Sequence, residues 1–166
     1  LEEIFADAYE RGQKPFIVML TNGQKAMLES IFPSRFTFER SPENQDYIYL
    51  TEELVTLRGK RFHAKRNHIS KFYKTYNNTR FETIDDNNKS DALKVVADWY
   101  AENGIPTDEN NEIKAICESL ENMNDFNMQG AVLYVEDKPV AMTLGSEISP
   151  NVYDINFEKA LREYDG

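Results

Sequence analysis

The chain has 166 residues, 40% hydrophobic and 12% aromatic, which is enough to bury a core and unlike a disordered polymer. Its 29 acids outnumber its 19 Lys and Arg, giving a formal net charge of -10 that argues against general nucleic-acid binding. No apolar run reaches the roughly 20 residues of a membrane helix, and the acidic start Leu1-Glu2-Glu3 lacks the basic region of a signal peptide.

In chain order, Leu1 to Arg11 has helical periodicity, with Ile4, Phe5, Ala8 and Tyr9 on one side. Pro15 to Leu20 is a short apolar run and predicts a buried strand. Thr21 is a helix cap, and Ala26, Met27, Ile31 and Phe32 give the helix an apolar face that ends at Pro33. Phe36 to Glu39 and Asp46 to Leu50 predict two strands joined by Ser41-Pro42-Glu43-Asn44. Thr51 opens a short helical turn that Arg58-Gly59 breaks. A basic helix is predicted from Lys60 to Tyr76, stopped by Asn77-Asn78. Phe81 to Ile84 predicts a strand, and Ser90 to Glu102 a helix ended by Asn103-Gly104. Thr107 or Asp108 caps a further helix reaching about Asn122. Gln129 to Val135 and Pro139 to Ser146 flank a tight turn at Glu136-Asp137-Lys138, the clearest hairpin signal in the chain. Val152 to Phe157 alternates and predicts a third strand there. Antiparallel strands with helices to the side indicate an α+β or mixed α/β layer fold. The single cysteine, Cys117, shares an apolar helical side with Ile113, Ile116 and Leu120, so it reads as a packed thiol. One cysteine also excludes an internal disulfide and fits a reducing, cytoplasmic compartment.

Charge patterning gives the sharpest functional signal. Residues 58 to 74 hold seven of the 19 Lys and Arg, both histidines and no acid. A cationic segment on an anionic body attracts an anion to one place. On a helical wheel Phe62, Ile69, Phe72, Tyr73 and Tyr76 form one stripe, while Lys60, Asn67, Lys71 and Lys74 face water. Lys65 and Arg66 fall at the edges of the apolar stripe. There they either snorkel outward or pair with acids, or Arg66 aims its planar fork at a phosphate or carboxylate. Lys60, Arg61, Lys65, Arg66, Asn67 and His68 are therefore the candidate anion- or substrate-binding residues. His63 and His68 are five apart, which does not place two imidazoles on one helical face, and no cysteine lies near; no metal site is expected.

The stretch Tyr49-Leu-Thr-Glu-Glu-Leu54, the basic run Leu57 to Phe72, and a second block from Val140 to Glu147 with Val152 to Ala160 resemble bacterial proteins of the phosphatidylglycerol lysyltransferase C-terminal domain family. The basic helix is the most specific part of this resemblance, and it is more distantly similar to Fem-type aminoacyltransferases. The resemblance implies two tandem domains of the GCN5-related N-acetyltransferase fold. Residues 1–57 would be the C-terminal half of a first acyltransferase-like domain. Residues 58–166 would be the basic helix and the N-terminal half of a second, ending before the turn that holds the donor pyrophosphate. With no initiating Met and no helix closing the end, the sequence reads as a fragment. The two halves together hold every element of one domain in permuted order. A continuous sheet pairing Phe16–Leu20 with Val152–Phe157 is the expectation if they pack as one.

The same resemblance implies an acyl- or aminoacyltransferase with acyl-CoA or aminoacyl-tRNA as donor and an amine as acceptor, and with no tightly held cofactor. Glu147 and Glu158 would be the candidate catalytic bases, with Lys159 and Asp154 nearby. Gly145, Phe157 and Gly166 would line the donor, and Tyr153 or Tyr164 would protonate the leaving group. Partners would be an anionic small molecule or donor cofactor, with tRNA contact through residues 58–74. A second reading keeps the fold as a non-catalytic anion-binding or regulatory module; a third, an enzyme at a membrane surface, is opposed by the net negative charge. Oligomeric state is open.

Overall fold

A computed structural model describes residues 1–42, 46–107 and 110–164. The chain divides into two compact units, Leu1–Thr51 and Glu52–Gly166.

The first unit is built by local rules. Helix α1 (Glu2–Glu10) and helix α2 (Asn22–Ile31) form where periodicity places them. Thr21 accepts the Gln24 backbone N–H and Gln24 reaches back to the Thr21 backbone, a complete capping box that starts α2. Phe36 gathers the aromatic side chains, its ring centroid 5.8 Å from Phe5, 6.0 Å from Phe32 and 6.2 Å from Phe38. No described residue of this unit is buried. The three strands expected at 16–20, 36–39 and 46–50 do not form in the described residues; part of the turn after Glu39 lies outside them. A strand needs a partner for its N–H and C=O groups, and a run of apolar residues does not supply one.

The second unit opens with α3 (Thr51–Thr56), a 3-10 turn (Lys60–Phe62) and α4 (His63–Thr75). Gly59, at φ 91°, makes the break between α3 and the 3-10 turn in a conformation that favours glycine. Strand β1 (Thr79–Thr83) follows, then α5 (Lys89–Glu102), α6 (Asn111–Glu121), β2 (Met128–Val135), β3 (Lys138–Ser149) and β4 (Val152–Ala160). The cap of α6 is Asn110, which accepts the Glu112 and Ile113 amides; the expected cap was Thr107 or Asp108, of which Asp108 lies outside the described residues. The four strands form one antiparallel sheet in the order β1-β2-β3-β4. Glu136 and Asp137 join β2 to β3 with both φ angles positive, 48° and 67°, the twist a two-residue hairpin favours.

The core lies between one face of the sheet and α5 and α6. Val132, Tyr134, Met142 and Leu144 meet Ala92, Val95, Val96 and Tyr100 of α5 and Ile116 and Leu120 of α6. Alternation fixes which strand residues enter it. Cys117, beside them on α6, is half-buried. The sheet joining residues 16–20 to β4 does not form: 16–20 lie in no strand, and among the described residues β4 pairs with β3 alone.

Candidate functional site

The basic segment is not one helix from Lys60 to Tyr76 as expected: it folds as the 3-10 turn Lys60–Phe62 followed by α4, which carries Lys65, Arg66, Lys71 and Lys74. Lys65 and Arg66 are exposed, not set at a core-facing edge as the wheel predicts. The stripe whose edges they were expected to line is itself thinly covered, with Ile69 46% and Tyr73 64% exposed. Phe62, at 2% exposed, is the one fully buried member. Phe72 and Tyr76 are half-buried in a ladder of rings, with centroids 5.0 Å from Phe72 to Tyr76 and 5.5 Å from Tyr76 to Tyr164.

Arg66 spends its guanidinium on the protein's own backbone. It donates to the carbonyl of Leu57, and to the carbonyl of Gly59 at 2.9 Å. These carbonyls follow the last turn of α3, where a helix leaves acceptors without an intrahelical partner. Arg61 pairs with Glu53 of α3 and lies over the Phe62 ring, 4.7 Å from its centroid. Asn67 shares a hydrogen bond of 3.2 Å with the Nε2 of His63. His68 and Lys60 are exposed. What remains turned outward is a shallow, open depression along α4 lined by Asn67, Ser70, Lys71, Lys74 and Thr75. Among the described residues no group of His, Cys, Asp and Glu gathers as a metal site.

The sheet carries a second depression on the face away from α5, with Phe81, Thr83, Gln129, Thr143, Gly145, Tyr153 and Ile155 among its lining. Pairing slips at Leu144/Gly145, so that β4 passes from Phe157 to Ile155 with Asn156 as the extra residue of a bulge. Gly145 is required there. A Cβ on it would lie 2.4 Å from the Asp154 carbonyl oxygen and 2.7 Å from the Tyr153 ring. The space beside this glycine is thus taken by the chain's own Asp154 and Tyr153. The Tyr153 hydroxyl donates to the Gln129 carbonyl at 3.2 Å, and burial raises its pKa above the ordinary value.

Glu147 and Glu158 are both exposed and are not brought together. Glu147 stands opposite Tyr153 and Glu158 opposite Thr143, four residues away along β3. That is roughly 13 Å at the rise of a strand. Phe157 packs half-buried against the core cluster. Gly166 lies outside the described residues.

A polar cluster that sequence reasoning misses joins the edge strand to both helices. Lys159 donates to the Glu112 carboxylate at 2.8 Å, and the Tyr100 hydroxyl donates to the other oxygen of the same carboxylate. Lys159, 10% exposed, also lies 4.3 Å from the Trp99 ring centroid. Burial alone would push the Glu112 carboxyl up, but the hydrogen bonds from Lys159 and Tyr100 and the Lys159 charge hold it below its ordinary value. Burial, then the bond to Glu112, pushes the Tyr100 hydroxyl up to about 12. Nothing local in the sequence signals this, because Glu112 and Lys159 are 47 residues apart. A parallel bond at 2.7 Å ties Tyr134 of β2 to Asp91 of α5, and burial raises that hydroxyl also to about 12.

Residues 1–166 match one family model, described as phosphatidylglycerol lysyltransferase, C-terminal. The chain belongs to that lysyltransferase-related family. No curated protein matches it. Among solved structures it is similar to a conserved protein of unknown function from Bacteroides thetaiotaomicron VPI-5482, at 32% identity and a TM-score of 0.87. The match covers 99% of this chain and 56% of that one, so this chain spans little more than half the length of its structural relative. Among the described residues no helix is long and apolar enough to cross a membrane.

Proposed function

We propose that the chain is part of an acyl- or aminoacyltransferase of the GCN5-related N-acetyltransferase fold, working in the cytoplasm. In this reading residues 1–57 end one acyltransferase-like domain and residues 58–166 begin another. The observation that carries it is the order β1-α5-α6-β2-β3-β4, with an antiparallel meander and a bulge where β4 passes Gly145. Membership of a lysyltransferase-related family favours the aminoacyl donor over acyl-CoA. An acyl carbonyl would need a strand to orient it, a carboxylate base to take the acceptor's proton and a donor for the developing oxyanion. The bulged strand would orient it, Glu147 or Glu158 would take the proton, and the Tyr153 hydroxyl would protonate the leaving group. The outward cations of α4, Lys71 and Lys74 with Asn67, would meet the anionic donor or its tRNA.

The second reading, a non-catalytic anion-binding or regulatory module, is favoured by two observations. Arg66 is held on backbone carbonyls, and the two candidate bases are far apart.

Thermal unfolding of the full-length polypeptide with coenzyme A, and separately with tRNA, tests both. Either ligand at 100 times its Kd adds about 2.7 kcal/mol. A salt-sensitive shift with tRNA alone supports the aminoacyl donor. A shift with neither, together with no transfer to an amine acceptor, rejects the enzyme.

A further inference from the structure

Strand β1 lies at the edge of the sheet. Among the described residues it pairs with β2 alone, in a register without a bulge, and it contains no proline. An edge this regular is a template for another strand. Its hydrogen-bonding groups sort by parity. The Glu136 N–H donates to the Asn78 carbonyl at 3.3 Å, and the Ile84 N–H to the Gly130 carbonyl at 2.9 Å. Residues of even number therefore bond to β2, while Thr79, Phe81 and Thr83 turn their N–H and C=O groups away from it. The Thr83 carbonyl already accepts the Asn88 side-chain amide at 3.0 Å. A further ladder would rest on both groups of Phe81, the Thr79 carbonyl and the Thr83 N–H.

The strand is also complementary to itself. Thr79-Arg-Phe-Glu-Thr83 is a charge palindrome about Phe81. Turned about a two-fold axis through Phe81, Thr79 meets Thr83, Arg80 meets Glu82 and Phe81 meets its own copy. This pairing sets outward-facing residues opposite one another, as an antiparallel ladder requires. The two neighbouring registers of the same parity place Arg80 opposite Arg80, or Glu82 opposite Glu82, and like charges directly opposite destabilise. Charge thus selects one register. The Arg80 guanidinium is already held, 4.0 Å from the Tyr134 ring centroid and hydrogen-bonded to Glu82 and Asp137, so pairing costs it little freedom. On the other face Phe81 is 70% exposed, and its copy would cover it.

We propose that β1 is a dimer contact that takes a second copy of this chain, edge to edge and antiparallel, with the two-fold axis at Phe81. The contact is self-complementary, so association through it stops at two. Phe81 also lines the depression on the outer face of the sheet, and the second copy brings its own Phe81 to that rim. Five residues a side make a small interface, of the weak and concentration-dependent kind.

Sedimentation equilibrium of the full-length polypeptide over about a hundredfold range of concentration tests this, and the protein should pass from monomer to dimer. Arg80→Glu and Glu82→Arg should each weaken dimerisation about tenfold or more, because each sets like charges opposite at both symmetric pairs. Mixed together, the two variants should dimerise again, since opposite charges then meet across the axis. A monomer at every concentration, a dimer that both variants leave intact, or a mixture that stays monomeric would each overturn the proposal. Hydrogen exchange on the unaltered protein gives a reading that needs no variant to fold. The Phe81 and Thr83 amides should be slow at the highest concentration and released on dilution, while those of Arg80, Glu82 and Ile84, bonded to β2, stay slow throughout. Rapid exchange at Phe81 in the most concentrated sample would overturn it as well.

Discussion

Helices α4 and α5 have nearly equal lengths, 13 and 14 residues, and both carry apolar side chains at helical spacing. Their fates differ. α5 buries Ala92, Val95, Val96 and Tyr100 against the sheet, and α4 has no buried residue. The difference lies in what each faces. α5 lies across β3, β4 and β2, a surface already made flat and apolar by strand alternation. α4 packs chiefly on the 3-10 turn before it and is held by rings and by Arg66. A periodic pattern states which face of a helix wants cover; only a partner surface provides it.

That contrast predicts a ladder of mutational effects, measured by chemical denaturation. Leu120, 1% exposed beneath α5, should lose about 3 kcal/mol as Leu120→Ala, the cost of removed contacts plus the cavity left behind. An effect below about 1 kcal/mol would mean the core yields easily. Gly145→Ala should cost about 2 kcal/mol, since its Cβ would meet the Asp154 carbonyl and β4 must move. It should also widen the bulge, which exchange of the β4 amides would reveal.

Glu112→Gln should cost about 1–2 kcal/mol by leaving the Lys159 charge 10% exposed without its counter-ion. The figure sits below the usual cost of breaking a buried pair because Glu112 itself is 44% exposed and screened. The pH dependence follows in sign. Glu112 has a depressed folded pKa, so its contribution is present above its unfolded value near 4.5 and is lost as pH falls through the lower folded value. The glutamine variant should lack that part of the acid limb. Tyr100 and Tyr134 act oppositely. Their folded values near 12 lie above the unfolded 10.0, so their stabilisation is whole below pH 10 and is lost as pH rises from 10 to 12. Tyr100→Phe should flatten part of that alkaline fall, and an unaltered limb would contradict the assignment.

Arg66→Ala should cost about 1 kcal/mol, because two hydrogen bonds from a charged but exposed donor hold the Leu57–Gly59 turn. Lysine, which lacks the fork, should recover less than half. Smallest of all is Ile69→Ala on α4, expected within about 0.5 kcal/mol because the side chain is 46% exposed. A loss as large as that of Leu120→Ala would show that α4 is covered in the folded protein and would erase the contrast between the two helices.

Local rules were legible from the residues. The Thr21 cap, the Gly59 and Asn103-Gly104 breaks, the Glu136-Asp137 hairpin and the extent of α5 each rest on a few neighbouring side chains and backbone preferences. The strands of the second unit were legible because each has a sequence neighbour to pair with across a short connection or a helix pair. The three expected in the first unit rested on apolar character alone. At the candidate site, the crowding of Gly145 by Asp154 and Tyr153 depends on a slipped register that no local signal gives. The basic character of residues 58–74 was plain; how Arg61 and Arg66 use their charges was not, because Glu53 and the carbonyls of Leu57 and Gly59 are brought to them by the turn at Gly59.

By itself the sequence determined an acidic α+β chain with one cationic rod and the places where its helices and hairpin begin and end. Those features depend on residues within a few positions of one another, where propensity and capping act. Tertiary structure alone decided that Lys159 meets Glu112 and Tyr100, that β4 bulges at Asn156 beside Gly145, and that α5 is buried while α4 is not. Each of these joins groups far apart in the chain, and such contacts form only once the sheet has fixed which faces exist to be met.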